Sequence, residues 1–181
     1  MLFFTDPART PDIAAVMRRL PRGAGVVWRA FGDPRAVAEG RRLTLIARRQ
    51  GLTLLVGADA ALAARIGADG VHLPERGAAR AGAVRRARPG WIVTSAAHSV
   101  PAVVRARRTG ADAVVVSPVF PSASPSAARP LGPLRLAQIV TGAGLPVYAL
   151  GGVNAATARR LIRSGIAGMA AVEALSAQNP T

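Results

Sequence analysis

Apolar residues in this chain come in short continuous runs rather than in strict alternation: Leu2-Phe3-Phe4, Val26-Val27-Trp28, Leu54-Leu55-Val56 and Val114-Val115-Val116. Such runs suit strands covered on both faces, as in a parallel sheet. Between them lie Ala/Arg/Leu stretches whose apolar positions recur at helical spacing. The pattern predicts strands near Leu2–Thr5, Gly25–Arg29, Thr53–Gly57, Gly70–Leu73, Trp91–Ser95, Ala113–Ser117, Pro146–Leu150 and Gly168–Ala171. It predicts helices over Pro11–Leu20, Pro34–Gln50, Ala60–Ile66, Ala78–Ala87, Pro101–Thr109, Pro133–Thr141 and Ala155–Ser164.

One phrase repeats. Gly67-Ala-Asp-Gly-Val-His-Leu73 is echoed by Gly110-Ala-Asp-Ala-Val-Val-Val116 and, more loosely, by Gly165-Ile-Ala-Gly-Met-Ala-Ala171. Each copy places glycine where a helix ends in a left-handed residue, then enters an apolar run. It is the helix–turn–strand half of a βα unit.

Strict strand–helix alternation defines an α/β protein. Eight units point to a closed ring, whereas an open doubly wound sheet calls for a Gly-x-Gly-x-x-Gly after an early strand, and none is present. The expectation is one domain over residues 1–181, a single (β/α)8 TIM-type barrel. The chain has 181 residues, and such barrels usually exceed about 200. It is therefore expected to be short at both termini, with nothing to plug the barrel floor before the first strand and Val172–Thr181 alone after the last. A short final helix leaves an apolar seam, which favours a homodimer. The one long loop is Pro118–Leu131, rich in Pro, Ser and Ala.

Composition narrows the function classes. Half the residues are hydrophobic, but no run reaches the length of a membrane span. Met1-Leu-Phe-Phe-Thr-Asp6 has no signal-peptide character, so a cytoplasmic protein without a membrane partner is expected. The absence of cysteine excludes disulfides, thiol catalysis and Cys-based zinc sites. All 24 basic residues are arginine, which excludes a Schiff-base lysine. The net charge of +15 raises the question of nucleic acid. However, the arginines fall largely in pairs within helices, as in Arg41-Arg42 and Arg107-Arg108, and aromatics are 4% of the chain. No nucleic-acid partner is expected, and the positive field instead favours small anionic metabolites.

In barrels of this type chemistry sits at the C-terminal strand ends. Those ends carry Asp6, then Trp28, Arg29 and Phe31, then Gly57-Ala58-Asp59, then His72 and Glu75. His98 follows strand 5, Phe120 follows strand 6, Gly151-Gly152-Val153-Asn154 follows strand 7, and Ala171-Val172-Glu173 ends strand 8. Paired glycines after a strand let backbone N–H groups approach an anion closely. Asn154 suits an N-cap. Gly151 and Gly152, with the backbone at Ala171 and Val172, are the expected phosphate cradle. Trp28 and Phe120 are candidates to cover a flat heterocycle. His72 is expected at the strand-4 end, packing there or contacting substrate.

Several phrases together resemble the thiamine phosphate synthase/TenI family over nearly the whole chain. They are the Gly67–Leu73 phrase, Ser95-Ala-Ala-His-Ser99, Gly110–Pro121, Pro130-Leu-Gly132 and Pro146-Val-Tyr-Ala-Leu-Gly-Gly-Val-Asn154. The resemblance implies a (β/α)8 barrel, commonly dimeric. Synthases of the family join a pyrimidine diphosphate to a thiazole phosphate, using Mg2+ and releasing pyrophosphate. TenI-type relatives aromatise a thiazole carboxylate phosphate by proton transfer and need no metal.

Carried over residue by residue, the resemblance assigns Arg29 to the diphosphate side and makes Ser122 and Ser124 phosphate-loop hydroxyls. It makes His98 the acid/base of the tautomerase branch, although the same histidine also suits a structural bond at the strand-5 turn. Phe31 and Pro125 stand where the family has lysines. Gly57-Ala58 and Gly77 stand where it has Asn-Asp and a second carboxylate, and Ala96 replaces a serine. Asp59 and Glu75 are the nearest carboxylates that remain to hold a metal. Three readings follow: a divergent synthase, a thiazole tautomerase using His98, and a non-catalytic binder of thiazole phosphate or thiamine phosphate.

Overall fold

In the computed structural model, eight parallel strands close into one ring in chain order. The strands are β1 (Leu2–Phe4), β2 (Gly25–Trp28), β3 (Thr53–Gly57), β4 (Gly70–Leu73), β5 (Ile92–Ala97), β6 (Ala113–Val116), β7 (Val147–Ala149) and β8 (Gly168–Ala171). β1 pairs with both β2 and β8, which removes every sheet edge. Helices α1 (Ile13–Arg19), α2 (Ala36–Gln50), α3 (Ala60–Ile66), α4 (Ala81–Ala87), α5 (Val100–Arg108), α6 (Gly132–Ala143) and α7 (Ala155–Ala158) form the outer layer. The structure describes residues 1–7, 9–122 and 129–172, and among them no helix is long and apolar enough to cross a membrane.

The continuous apolar runs are explained by burial on both sides. β2, β4 and β6 are buried at every position. One set of alternate residues fills the barrel interior: Leu2, Phe4, Val27, Leu55, Val115 and Ala170. The other set meets the helices. Val26, Leu54 and Val56 pack with Leu43 and Ala47 of α2 and Ile66 of α3. Val114, Val116 and Val147 pack with Leu136 and Ile139 of α6. Truncating a large side chain fixed in such a layer costs roughly 2–5 kcal/mol.

The repeated phrase has a structural reason. Gly67 ends α3 at φ 70° and Gly110 follows α5 at φ 88°, the left-handed conformation that favours glycine. The aspartate two residues later ties neighbouring strands together. Asp69 accepts a hydrogen bond from the Leu54 N–H (2.7 Å), and Asp112 accepts one from the Val93 N–H (2.8 Å). Asp112 also pairs with Arg85. In the third copy Ala167 keeps the backbone bond to Val147 without a carboxylate.

Two helices differ from expectation. The segment expected as Ala78–Ala87 starts with a 3-10 turn over Glu75–Arg80 before α4. The expected Ala155–Ser164 helix is one α-turn followed by a 3-10 turn over Arg159–Leu161. β5 runs on to Ala97, because Ala96 and Ala97 pair with Val115 and Val116 of β6.

Candidate functional site

Strand parity decides which rim residues face the barrel mouth. On β2, Val27 belongs to the interior cluster, so Trp28 points outward. It is 3% exposed among the helices, and a Cβ added at Gly40 of α2 would lie 2.7 Å from its ring. Trp28 therefore packs against α2 and does not line the mouth. Phe120 is likewise buried with Leu136, Ile139 and Leu161, with the Arg160 guanidinium 5.1 Å from its ring centroid. The two expected aromatic walls are thus core residues of the outer layer. Phe4 faces the interior from β1, where Tyr148 also packs on its cluster, and Phe31 is exposed on the loop after β2. Alternation along β1 is a signal that would have marked Phe4.

Arg29, one residue past Trp28, is held firmly. Its Nε donates to the Thr5 carbonyl (2.6 Å), one terminal nitrogen donates to Asp6 (3.3 Å), and its backbone N–H donates to Thr5 Oγ1 (3.0 Å). The guanidinium lies 5.1 Å from the Phe31 ring centroid, a cation–π distance. Burial lowers its pKa and the Asp6 carboxylate opposes that shift, but an arginine stays charged throughout. The Arg29 stem also fills the space beside Gly57, where a Cβ would sit 3.1 Å from it.

His72 faces inward from β4 and is 8% exposed. Its Nδ1 pairs with Thr94 Oγ1 at 2.9 Å, and its ring meets Phe4 edge-on at 5.0 Å. Burial, and secondarily the Arg29 charge, push its pKa down to about 4. It is a neutral imidazole at physiological pH.

His98 is exposed on the rim after β5. Its backbone N–H donates to Glu75 (2.8 Å), and its Nδ1 lies 2.6 Å from the Ser117 carbonyl. A carbonyl can only accept, so Nδ1 carries a proton and donates it to Ser117. The structural bond at the strand-5 turn is therefore present.

The nearest carboxylates have other work. Asp59 caps α3 by accepting from the Leu62 N–H (2.8 Å), and Glu75 ties the β4 rim to the β5 rim through His98. Among the described residues no three His, Asp or Glu side chains gather as a metal site. Mg2+ prefers several well-placed oxygens, and the described residues gather no such set.

Gly151 and Gly152 follow β7 at the C-terminal rim with φ 93° and 63°. The Gly151 carbonyl accepts from the Phe120 N–H (2.9 Å). A Cβ at Gly152 would sit 2.4 Å from the Pro121 carbonyl oxygen and 2.7 Å from Phe120 Cβ. Glycine is thus required both by backbone conformation and by the strand-6 loop pressed against it. Asn154 caps α7, accepting from the Ala156 and Thr157 N–H groups, and Thr157 Oγ1 donates to the Gly152 carbonyl (2.8 Å). Ala171 ends β8, and Val172 packs on the interior cluster. Ser122 is partly buried, while Ser124 and Pro125 lie outside the described residues.

Fold and rim together define a parallel (β/α)8 barrel whose polar side chains converge at the C-terminal mouth. The family model described as thiamine monophosphate synthase matches residues 2–175. A thiamine-phosphate synthase of Chlorobium luteolum is 31% identical over 97% of this chain and 85% of its own length. One of Methanoculleus marisnigri is 39% identical over 65% of this chain and 55% of its own. The solved thiamine phosphate pyrophosphorylase of Pyrococcus furiosus superposes with a TM-score of 0.85 at 26% identity, covering 98% of this chain and 87% of that one. The chain belongs to the thiamine monophosphate synthase family. Across the relatives compared, the match spans 31% to 85% of their own lengths, and in most it is below two thirds.

Proposed function

We propose that this protein binds a phosphorylated thiazole or thiamine phosphate at the barrel mouth, without Mg2+-assisted release of pyrophosphate. The phosphate would lie on the Gly151–Gly152 turn, with Ser122, Ser124 and the backbone at Ala171–Val172 alongside. The ring would lie toward Phe4, His72 and Arg29. One observation supports the reading: Asp59 caps α3 and Glu75 ties the rim to His98, and among the described residues no three His, Asp or Glu side chains gather as a metal site. A diphosphate leaving group needs such neutralisation of developing charge. Calorimetry with thiamine phosphate should show binding that is indifferent to added Mg2+. Mg2+-dependent pyrophosphate release from the pyrimidine diphosphate and thiazole phosphate pair would overturn the proposal.

A second reading is favoured by His98. The Nδ1–H bond to the Ser117 carbonyl supports this reading by fixing the ring; Nε2 would then take a proton from a ring carbon and return it to another ring position. Such a tautomerisation is redox-neutral and needs no cofactor. His98→Ala would abolish thiazole isomerisation while leaving ligand binding in place. If the unaltered protein shows no isomerisation, the role is binding alone. A homodimer is part of the proposal, supported by the exposed Ile162 and Met169 near β8, and sedimentation would report it.

A further inference from the structure

We propose that the groove between α3 and α4, on the outer layer of the barrel and apart from its mouth, docks an acidic amphipathic helix of a partner protein. α1 packs on α2 and α2 on α3, but α3 and α4 stand apart around a groove of about 370 Å3. Its floor is apolar: Ala60 and Ala64 of α3, Ala83 and Ala87 of α4, and the half-buried Trp91 beyond α4. Alanine side chains end at Cβ, so neither helix fills the gap. Arg80 and Arg88 also line the groove, one at each end of α4. Both are exposed, and among the described residues neither has a carboxylate partner. The Arg88 guanidinium lies over the Trp91 ring, 5.5 Å from its centroid.

Charge complementarity selects the occupant. Two guanidiniums without carboxylate partners bracket an apolar floor, which matches a helix carrying carboxylates on either side of an apolar face. Neither α3 nor α4 contains an acidic residue, and Arg65 and Arg86 in their last turns add to the positive field. Asp59, at the head of α3, is bound to its own helix as the cap. α3 spans 7 residues, about 10 Å of helix, which matches about two turns of a partner. A second copy of this chain is a poor fit. A two-fold contact sets the patch against itself, arginine against arginine, on a chain of net charge +15. A nucleic-acid backbone would meet the arginines but leave the alanine and tryptophan floor uncovered. Exposed arginine beside an aromatic ring is instead the composition that protein interfaces favour.

The test is fluorescence anisotropy of the full chain with a labelled peptide of Glu, Ala and Leu whose leucines share one helical face. Saturable binding is expected. Replacing the leucines by serine should weaken it at least about tenfold. Arg80→Glu and Arg88→Glu should each weaken it on the order of fivefold. Arg135→Glu makes the same charge change on α6 and should alter little. Docking is overturned if the leucine peptide does not bind, or if Arg135→Glu weakens it as much as the groove variants do. It is equally overturned if the serine peptide binds as well, which would make the face a general polyanion surface. A change in sedimentation of the chain alone on Arg88→Glu would assign the groove to a second copy and overturn the proposal too. Should Arg88→Glu fail to fold, Arg80→Glu against Arg135→Glu decides.

Discussion

The two sides of the barrel mouth were built by different rules. On the β7 side, backbone conformation does the work: positive-φ glycines, a capped turn of helix, and a neighbouring loop packed where side chains would otherwise be. On the β2–β4 side, side chains do it, and they satisfy one another: Arg29 with Thr5 and Asp6, His72 with Thr94, Asp59 with α3, Glu75 with His98. A backbone site tolerates little change without losing the fold. A side-chain site can exchange its chemistry while the barrel persists. This chain shows both outcomes.

The comparison can be broken most sharply at Gly152. Gly152→Ala places a Cβ against Pro121 and Phe120 at positive φ, and should cost about 3 kcal/mol or more. Urea unfolding would read it together with loss of thiamine phosphate binding. A nearly neutral result would mean that the β7 turn is not rigid.

The opposite side should show its largest effect through pH. His72 has a folded pKa near 4, depressed below its unfolded value of 6.5. The unfolded state therefore binds the proton first. Stability is complete above about pH 6.5 and falls as pH drops toward 4, by roughly 3 kcal/mol in total. His72→Gln should flatten the unfolding free energy over that window, and an unchanged slope would rule His72 out as its source.

Smaller effects sharpen the contrast. Asp59→Ala should lose about 1 kcal/mol, as expected for a helix cap, with no change in any Mg2+ response. Ala58 is held at φ 65°, so Ala58→Gly should gain roughly 0.5–1 kcal/mol in thermal unfolding. A loss there would show that the conformation at this rim position follows from something other than local backbone.

Much of the fold was legible because buried parallel strands write unbroken apolar runs, and because left-handed turns call for glycine, as at Gly67 and Gly110. The Asn154 cap and the rim position of His98 were equally local. The site was less legible. Trp28 and Arg29 are adjacent, and composition treats both as rim residues. Period-two alternation sends one outward and the other into the mouth. Phe120 is separated from its packing partners Leu136 and Leu161 by chain that a local reading cannot cross. Asp59 stood directly before a helix, a capping signal that competes with any metal role.

The sequence by itself determined the eight-unit order, the left-handed turns and the residue losses relative to its family, because each depends on neighbours a few positions away. Tertiary structure alone decided which groups satisfy one another. Parallel pairing of β1 with β2, β4 with β5 and β6 with β7 brings Thr5 and Asp6 to Arg29, Glu75 to His98 and the 118–121 loop onto Gly152. Those contacts join the ends of separate strands far apart in the chain, so they exist only once the strands have paired.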